Sequence, residues 1–159
     1  MTSSQSGVAH ATEVSQAPTR VIFVCTHNSA RSVMAEVLLR RKGGDSFEVH
    51  SAGVEPGSIH PLTIRVLEEA GLSTSGLRSK SVTEYLGQRF DYVITVCDSA
   101  RQQCPTFPGE GRRMHWGYDD PSAATGSDEE RVAAFRRVFT AISERINLFL
   151  TVEGKRSRA

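Results

Sequence analysis

The sequence predicts an α/β fold, a single-domain three-layer sandwich in which helices cover both faces of a four-stranded parallel sheet. Three observations lead there. Short apolar, β-branched runs recur along the chain, and segments with helical spacing of apolar residues separate them. The length of 159 residues supports one core but would leave two domains each too small.

Arg20 to Cys25 (RVIFVC) reads as the first, buried strand, stopped by the polar stretch THNS. From Ala30 the pattern turns helical, with Val33, Met34, Val37 and Leu38 on one stripe until Gly43-Gly44 ends it. Phe47 to Ser51 is the second strand, leading to a Gly-Val-Glu-Pro-Gly loop. Pro61 is placed to begin a helix that ends at Gly71. Asp91 to Cys97 (DYVITVC) is a third buried strand and Arg112 to Trp116 a weaker fourth, with Trp116 in the core. Asp128 to Leu150 carries apolar residues at helical period from Val132 to Phe149, a long amphipathic helix. Parallel strands joined through helices require right-handed crossovers. The domain is expected over residues 19–151, after a disordered extension at 1–18 and before a flexible tail at 152–159.

Composition narrows the function classes. With 38% apolar and 23% charged residues and a net charge of +1, the chain belongs with soluble globular proteins. Basic and acidic residues are interspersed, and the one cluster, Lys155, Arg156 and Arg158, reads as a solvating end, so no nucleic-acid partner is expected. No apolar run reaches the 18 residues that would span a bilayer. The first 18 residues have neither a basic start nor an apolar centre and fail as a secretory signal, so a cytoplasmic, monomeric protein is expected. Three cysteines, an odd and small number, argue for reduced thiols rather than a disulfide framework.

Chemistry concentrates in Cys25-Thr26-His27-Asn28-Ser29-Ala30-Arg31-Ser32. A cysteine ends the first strand and an arginine follows six residues later, at the start of a helix. Backbone N–H groups of such a loop point inward, the helix dipole adds positive potential, and a guanidinium grips two oxygens of a tetrahedral anion. Lysine would lose that planar fork. The same field favours a thiolate, so Cys25 should titrate below the free value of about 8.5 and act as a nucleophile. Ser32 is placed to donate a further hydrogen bond to the sulfur. An isolated buried cysteine is usually structural; the spacing here argues the other way.

VCTHNSARSVMAE resembles the phosphate-binding loop of the low-molecular-weight tyrosine phosphatases and of the arsenate reductases that share their fold, over about residues 20 to 150. The resemblance implies that Cys25 attacks an oxyanion held by Arg31, and that an aspartate of an Asp-Pro loop protonates the leaving oxygen. Asp120-Pro121, in HWGYDDPS, matches that position, with Asp119 the neighbouring alternative. Acid work needs a carboxyl group that holds a proton near neutral pH, which burial beside the anion could arrange.

Phosphatase and reductase are divided by Cys97 and Cys104, since a phosphatase needs neither. Cys97 ends the third strand, where it can approach Cys25, and Cys104 lies seven residues on. A helix over that interval would separate their Cα atoms by about 10 Å, whereas a disulfide requires less than about 7 Å. Asp98 to Gln103 is therefore expected to be helical when reduced and looped when oxidised. VCDSARQQCP followed by HWGYDDP resembles the thioredoxin-coupled arsenate reductases. That resemblance implies a relay. Cys25 attacks arsenate, Asp120 assists loss of water, Cys97 attacks the Cys25–arsenic adduct, Cys104 attacks the Cys25–Cys97 disulfide, and thioredoxin reduces Cys97–Cys104.

It also implies arsenate as substrate, phosphate as competing anion, thioredoxin as a transient partner and external reductant, and no bound cofactor. The alternatives are a low-molecular-weight tyrosine phosphatase, a non-enzymatic anion-sensing module on the same pocket, and glutaredoxin or a small thiol in place of thioredoxin.

Three positions depart from the family pattern. His27 and Ala30 stand where some members have glycine and cysteine, and His27 reads as solvent-facing or loop-bracing. In some members a monovalent cation near the loop is held by residues matching Asn28, Glu36 and Ser51 with an aspartate. That aspartate's place falls at Lys80, whose ammonium could replace the ion, so no bound metal is expected. Asn28 and Ser51 should still brace the loop. His50, His60 and His115 match no metal-ligand spacing.

Overall fold

Four parallel strands pair in the order β2-β1-β3-β4 in the computed structural model, which describes residues 17–109 and 111–158. β1 is Thr19–Cys25, β2 Phe47–Gly53, β3 Tyr92–Thr95 and β4 Arg112–His115. The helices are α1 (Arg31–Gly43), α2 (Pro61–Glu69), α3 (Asp98–Gln103) and α4 (Asp128–Arg158), with single 3₁₀ turns at Gly44–Ser46, Val82–Tyr85 and Pro121–Ala123. Helices flank the sheet as the alternating pattern predicts. Residues 1–16, most of the expected N-terminal extension, lie outside the described residues. No described helix is long and apolar enough to cross a membrane.

β1 is central, pairing with β2 from Thr19↔Phe47 to Cys25↔Gly53 and with β3 from Val21↔Tyr92 to Val24↔Thr95. Its Val21, Ile22, Phe23 and Val24 are fully buried because both faces of the strand are covered, which explains a continuous apolar run instead of an alternating one. Strand order reverses at β1, so the crevice between the carboxyl ends of β1 and β3 is the topological switch point where open α/β sheets bind ligands. Cys25 and Cys97 both lie at that crevice.

α1 is more deeply placed than one apolar stripe would require. Every residue from Ser32 to Leu39 is buried, because α1 packs on β1 and β2 and is covered in turn by α4. Burial of polar Ser32 and Glu36 among them has a functional reason, given below. α2 starts at Pro61 with His60 as its N-cap, Nδ1 accepting the Leu62 N–H at 3.0 Å. Phe23, Trp116, Phe149 and Tyr92 form a chain of tilted and edge-to-face ring contacts that ties β1, β3 and the residue after β4 to α4.

One boundary is corrected. The segment after residue 151 was expected to be a flexible tail, yet α4 continues to Arg158. Glu153 is buried and accepts a hydrogen bond from the Tyr92 hydroxyl, so the last turns dock on β3 through a polar contact that no apolar periodicity announces. Side chains beyond Glu153, including the basic cluster, lie outside the described part.

Candidate active site

The segment from Thr26 to Ala30 wraps round the carboxyl end of β1 as a cup. The Cys25 carbonyl and three of the segment's own turn outward and are satisfied by the chain after β2: Val54 N–H bonds Cys25 O at 3.1 Å, Glu55 N–H bonds Thr26 O at 2.8 Å, Gly57 N–H bonds His27 O at 3.1 Å, and His60 N–H bonds Ser29 O at 3.0 Å. The Ser79 hydroxyl gives His27 O a second bond at 2.7 Å, and the Thr63 hydroxyl gives Ser29 O one at 2.8 Å. With its carbonyls taken outside, the loop leaves amide hydrogens to face inward, as an anion-binding nest requires. α1 begins at the rim with Ala30 as N-cap, without a side-chain cap and without an acid in its first turn. Its positive end is left for an anion.

Asn28 is the keystone. It adopts a left-handed backbone (φ 52°), which asparagine tolerates better than most residues. Its Nδ2 donates to Ser32 Oγ at 2.8 Å and to Ser51 Oγ at 2.9 Å, and its Oδ1 accepts the Lys80 N–H at 2.7 Å. Ser51 Oγ in turn donates to Glu36 Oε1 at 2.5 Å, and the Lys80 ammonium donates to the same oxygen at 3.3 Å and to Arg78 O at 3.2 Å. Asn28, Glu36, Ser51 and Lys80 are all buried. The four expected loop supports thus meet in one network, and the Glu36 carboxylate is shared between the Lys80 ammonium on Oε1 and the Arg40 guanidinium, 2.5 Å from Oε2.

Cys25 is 2% exposed, and its pKa lies well below the ordinary thiol value. The main cause is a hydrogen bond from the Cys97 thiol. Burial opposes it, while the Ser32 hydroxyl, the Arg31 charge and the Asn28 N–H add to it. Cys97 moves the other way, pushed up chiefly because it is donor to the Cys25 sulfur. The two shifts are opposite in direction, so Cys25 is the more readily ionised of the pair, favoured by Ser32, Arg31 and Asn28, which all act on its sulfur. Thr26 Oγ1 lies 3.2 Å from the Cys97 sulfur.

Arg31 Nη1 donates to Tyr118 O at 3.0 Å, and Nη2 lies 3.8 Å from Asp120 Oδ2. Its Nε is buried with no hydrogen-bond partner among the described residues. Asp120, rather than Asp119, faces the guanidinium. Its carboxyl group was expected to be raised by burial. Burial does raise it, but the hydroxyl and N–H of Ser122, at 2.7 and 2.9 Å, with the Arg31 charge, bring it below the ordinary value. Without a bound anion Asp120 is a carboxylate.

Cys97 is the N-cap of α3 and Cys104 its C-cap, and none of the three cysteines is in a disulfide. The expected reduced-state helix is present. Ala100 is its one buried residue, Cys104 is half-buried, and its Sγ lies 3.6 Å from Pro105 O.

Two contributors escaped the sequence reading. Gly53 ends β2 beneath the loop, where a Cβ would stand 2.7 Å from Thr26 O and 2.9 Å from Asn28 N, so only glycine admits the loop. Its signal was present as the glycine two residues after Ser51. Tyr118 supplies a carbonyl to Arg31, a role that no side-chain motif announces. His50, His60 and His115 are engaged separately, with Glu48, the α2 N-cap and Asp98.

Comparison with known proteins agrees with this geometry. Residues 20–158 match the family described as low molecular weight phosphotyrosine protein phosphatase. An arsenate reductase of Halalkalibacterium halodurans is 41% identical over 129 residues, covering 81% of this chain and 93% of that protein. The structure of an arsenate reductase in the phosphate binding state superposes with a TM-score of 0.69 at 28% identity, over 84% of this chain and 97% of that one. A Corynebacterium glutamicum thioredoxin-dependent arsenate reductase superposes with a TM-score of 0.57 at 30% identity, over 87% of this chain and 66% of that one. By sequence, fold and loop, the chain belongs to the low molecular weight phosphotyrosine protein phosphatase family, in the branch populated by arsenate reductases.

Proposed function

We propose that this chain reduces arsenate to arsenite by a relay of Cys25, Cys97 and Cys104, with thioredoxin as the external reductant. The observation that carries the reading is the placement of buried Cys25 and Cys97 at the carboxyl ends of β1 and β3, with Thr26 Oγ1 3.2 Å from the Cys97 sulfur and Arg31 facing Asp120 across the loop.

Arsenate enters the cup with its oxygens on the loop amides and on Arg31, whose unpaired Nε gains an acceptor. The approaching dianion raises the Asp120 carboxyl group, which takes up a proton and delivers it to the departing oxygen. Cys25 sulfur bonds to arsenic and water leaves. That step removes the charge which held Cys97 protonated, since donation to Cys25 is the main cause of its raised pKa. Thr26 and the Ala100 N–H both favour the Cys97 thiolate once it forms. Cys97 then attacks the Cys25 sulfur; the sulfur–sulfur bond forms, the sulfur–arsenic bond breaks, and its electron pair stays on arsenic, which leaves as arsenite. Cys104 attacks the Cys97 sulfur, freeing Cys25 as a thiolate. Thioredoxin returns Cys97 and Cys104 to thiols, which places the protein in a reducing compartment such as the cytoplasm.

The test is arsenate-dependent NADPH oxidation with thioredoxin and thioredoxin reductase. Turnover that requires all three cysteines supports the relay; no arsenate-dependent oxidation ends it. Because Cys25, Arg31 and Asp120 are also the parts of a phosphatase, slow aryl-phosphate hydrolysis is expected. Fast hydrolysis that survives Cys97→Ser and Cys104→Ser would favour the phosphatase reading instead.

A further inference from the structure

His115 ends β4 opposite Thr95 in the sheet register, and its ring does not simply fill space. Nδ1 lies 2.7 Å from Thr95 Oγ1, and Nε2 lies 3.1 Å from Oδ1 of Asp98, the first residue of α3. Thr95 is fully buried, so one end of the ring is anchored in the sheet while the other holds an exposed carboxylate. Gly117 allows this approach, since a Cβ there would stand 3.2 Å from His115 Nε2 and 3.8 Å from Asp98 Oδ1. Cys97 lies between the two contacts, bracketed by Thr95 and Asp98.

We propose that His115 is a positioning residue for the thiol relay, tethering Asp98 so that α3 opens from its Cys104 end while Cys97 stays beside Cys25. This rests on the relay proposed above. Opening α3 is necessary, since about 10 Å of helix must shrink to disulfide distance, and six residues with one buried side chain resist it little. Which end moves decides the outcome. If Asp98 swings out, Cys97 leaves the Cys25 sulfur and neither disulfide forms efficiently. If Asp98 is held, Cys104 travels to Cys97 and its thiolate attacks the Cys97 sulfur; the Cys97–Cys104 bond forms, the Cys25–Cys97 bond breaks, and Cys25 departs as a thiolate. The Cys104 proton goes to solvent, and no outside oxidant is needed. The ring bridges the two elements through both nitrogens, Nε2 facing the Asp98 carboxylate and Nδ1 the Thr95 hydroxyl.

The test uses the full chain in a single turnover with arsenate, quenched with an alkylating reagent so that mass spectrometry identifies each disulfide. In a Cys104→Ser background, His115→Ala should slow Cys25–Cys97 formation about three- to tenfold, the modest scale suited to a half-exposed contact. The arsenate concentration for half-maximal rate should stay unchanged. Asp98→Ala, at an exposed site that does not endanger folding, should match His115→Ala, and His115→Gln should restore most of the rate through its amide donor. Hydrogen exchange of residues 98–104 in the reduced protein, which needs no arsenate chemistry, should quicken in both alanine variants and not in the glutamine one. Unchanged disulfide rates and exchange in Asp98→Ala would overturn the tether with the relay intact. Absence of any Cys25–Cys97 disulfide in the Cys104→Ser protein would overturn the relay, and with it this role, even where exchange responds.

Discussion

The Lys80 ammonium lies 3.3 Å from the Glu36 carboxylate, both buried beneath the anion loop, and each reaches Asn28: Lys80 through its own N–H and Glu36 through Ser51. A buried charge is tolerable only when paired. Lys80→Ala would remove one of the two cations on Glu36 and leave Arg40, whose Nη2 lies 2.5 Å from Oε2, as its charge partner, so urea unfolding should report a loss of about 1–3 kcal/mol. Lys80→Gln, which keeps a donor toward Glu36, should lose less than Lys80→Ala. It should not restore full oxyanion affinity, because Asn28 would still lack the arrangement that orients it.

The pH dependence of Cys25 follows from its depressed pKa. A thiol with lowered pKa remains a thiolate as pH falls below about 8.5, where free cysteine is protonated. Iodoacetamide should therefore modify Cys25 with a pH midpoint below that of free cysteine. Since the Cys97 hydrogen bond is the largest cause, Cys97→Ala should shift that midpoint upward. Cys97→Ser, whose hydroxyl can also donate, should shift it less. Equal midpoints in all three proteins would remove the Cys97 contact as the cause.

Gly53→Ala tests the cup without touching a reacting group. The added methyl would meet Thr26 O at 2.7 Å, so the loop must shift. A displacement of this order at the site should lower the arsenate turnover rate by about 100-fold. Far-ultraviolet circular dichroism should be unchanged, because β2 and α1 have no other reason to move.

Ending the chain after Thr151 tests the corrected boundary. A dispensable tail would be lost without effect. Loss of Glu153 instead leaves the Tyr92 hydroxyl without that acceptor, and thermal unfolding should register a destabilisation of about 1–3 kcal/mol. Glu153→Gln should cost less than the truncation, since its amide oxygen still accepts.

The sequence by itself determined the parts whose information is contiguous. β1, the loop and α1 follow one another within 25 residues from Thr19 to Gly43, so strand propensity, turn residues, helical period and the Cys25-to-Arg31 spacing could be read together. The seven-residue step from Cys97 to Cys104 likewise specified a short helix that must open to bridge its ends. Tertiary structure decided what pairs across the chain. The meeting of Asn28, Glu36, Ser51 and Lys80, the Tyr118 carbonyl on Arg31, the Gly53 contact under the loop and the His115–Asp98 bond join segments 15 to 87 residues apart. Whether they touch depends on sheet order and register, which local propensity does not encode. The protonation of Asp120 shows the same division: its motif was legible, but the balance between burial and the nearby Ser122 and Arg31 is a sum over three-dimensional neighbours, and it ran opposite to the expectation from burial alone.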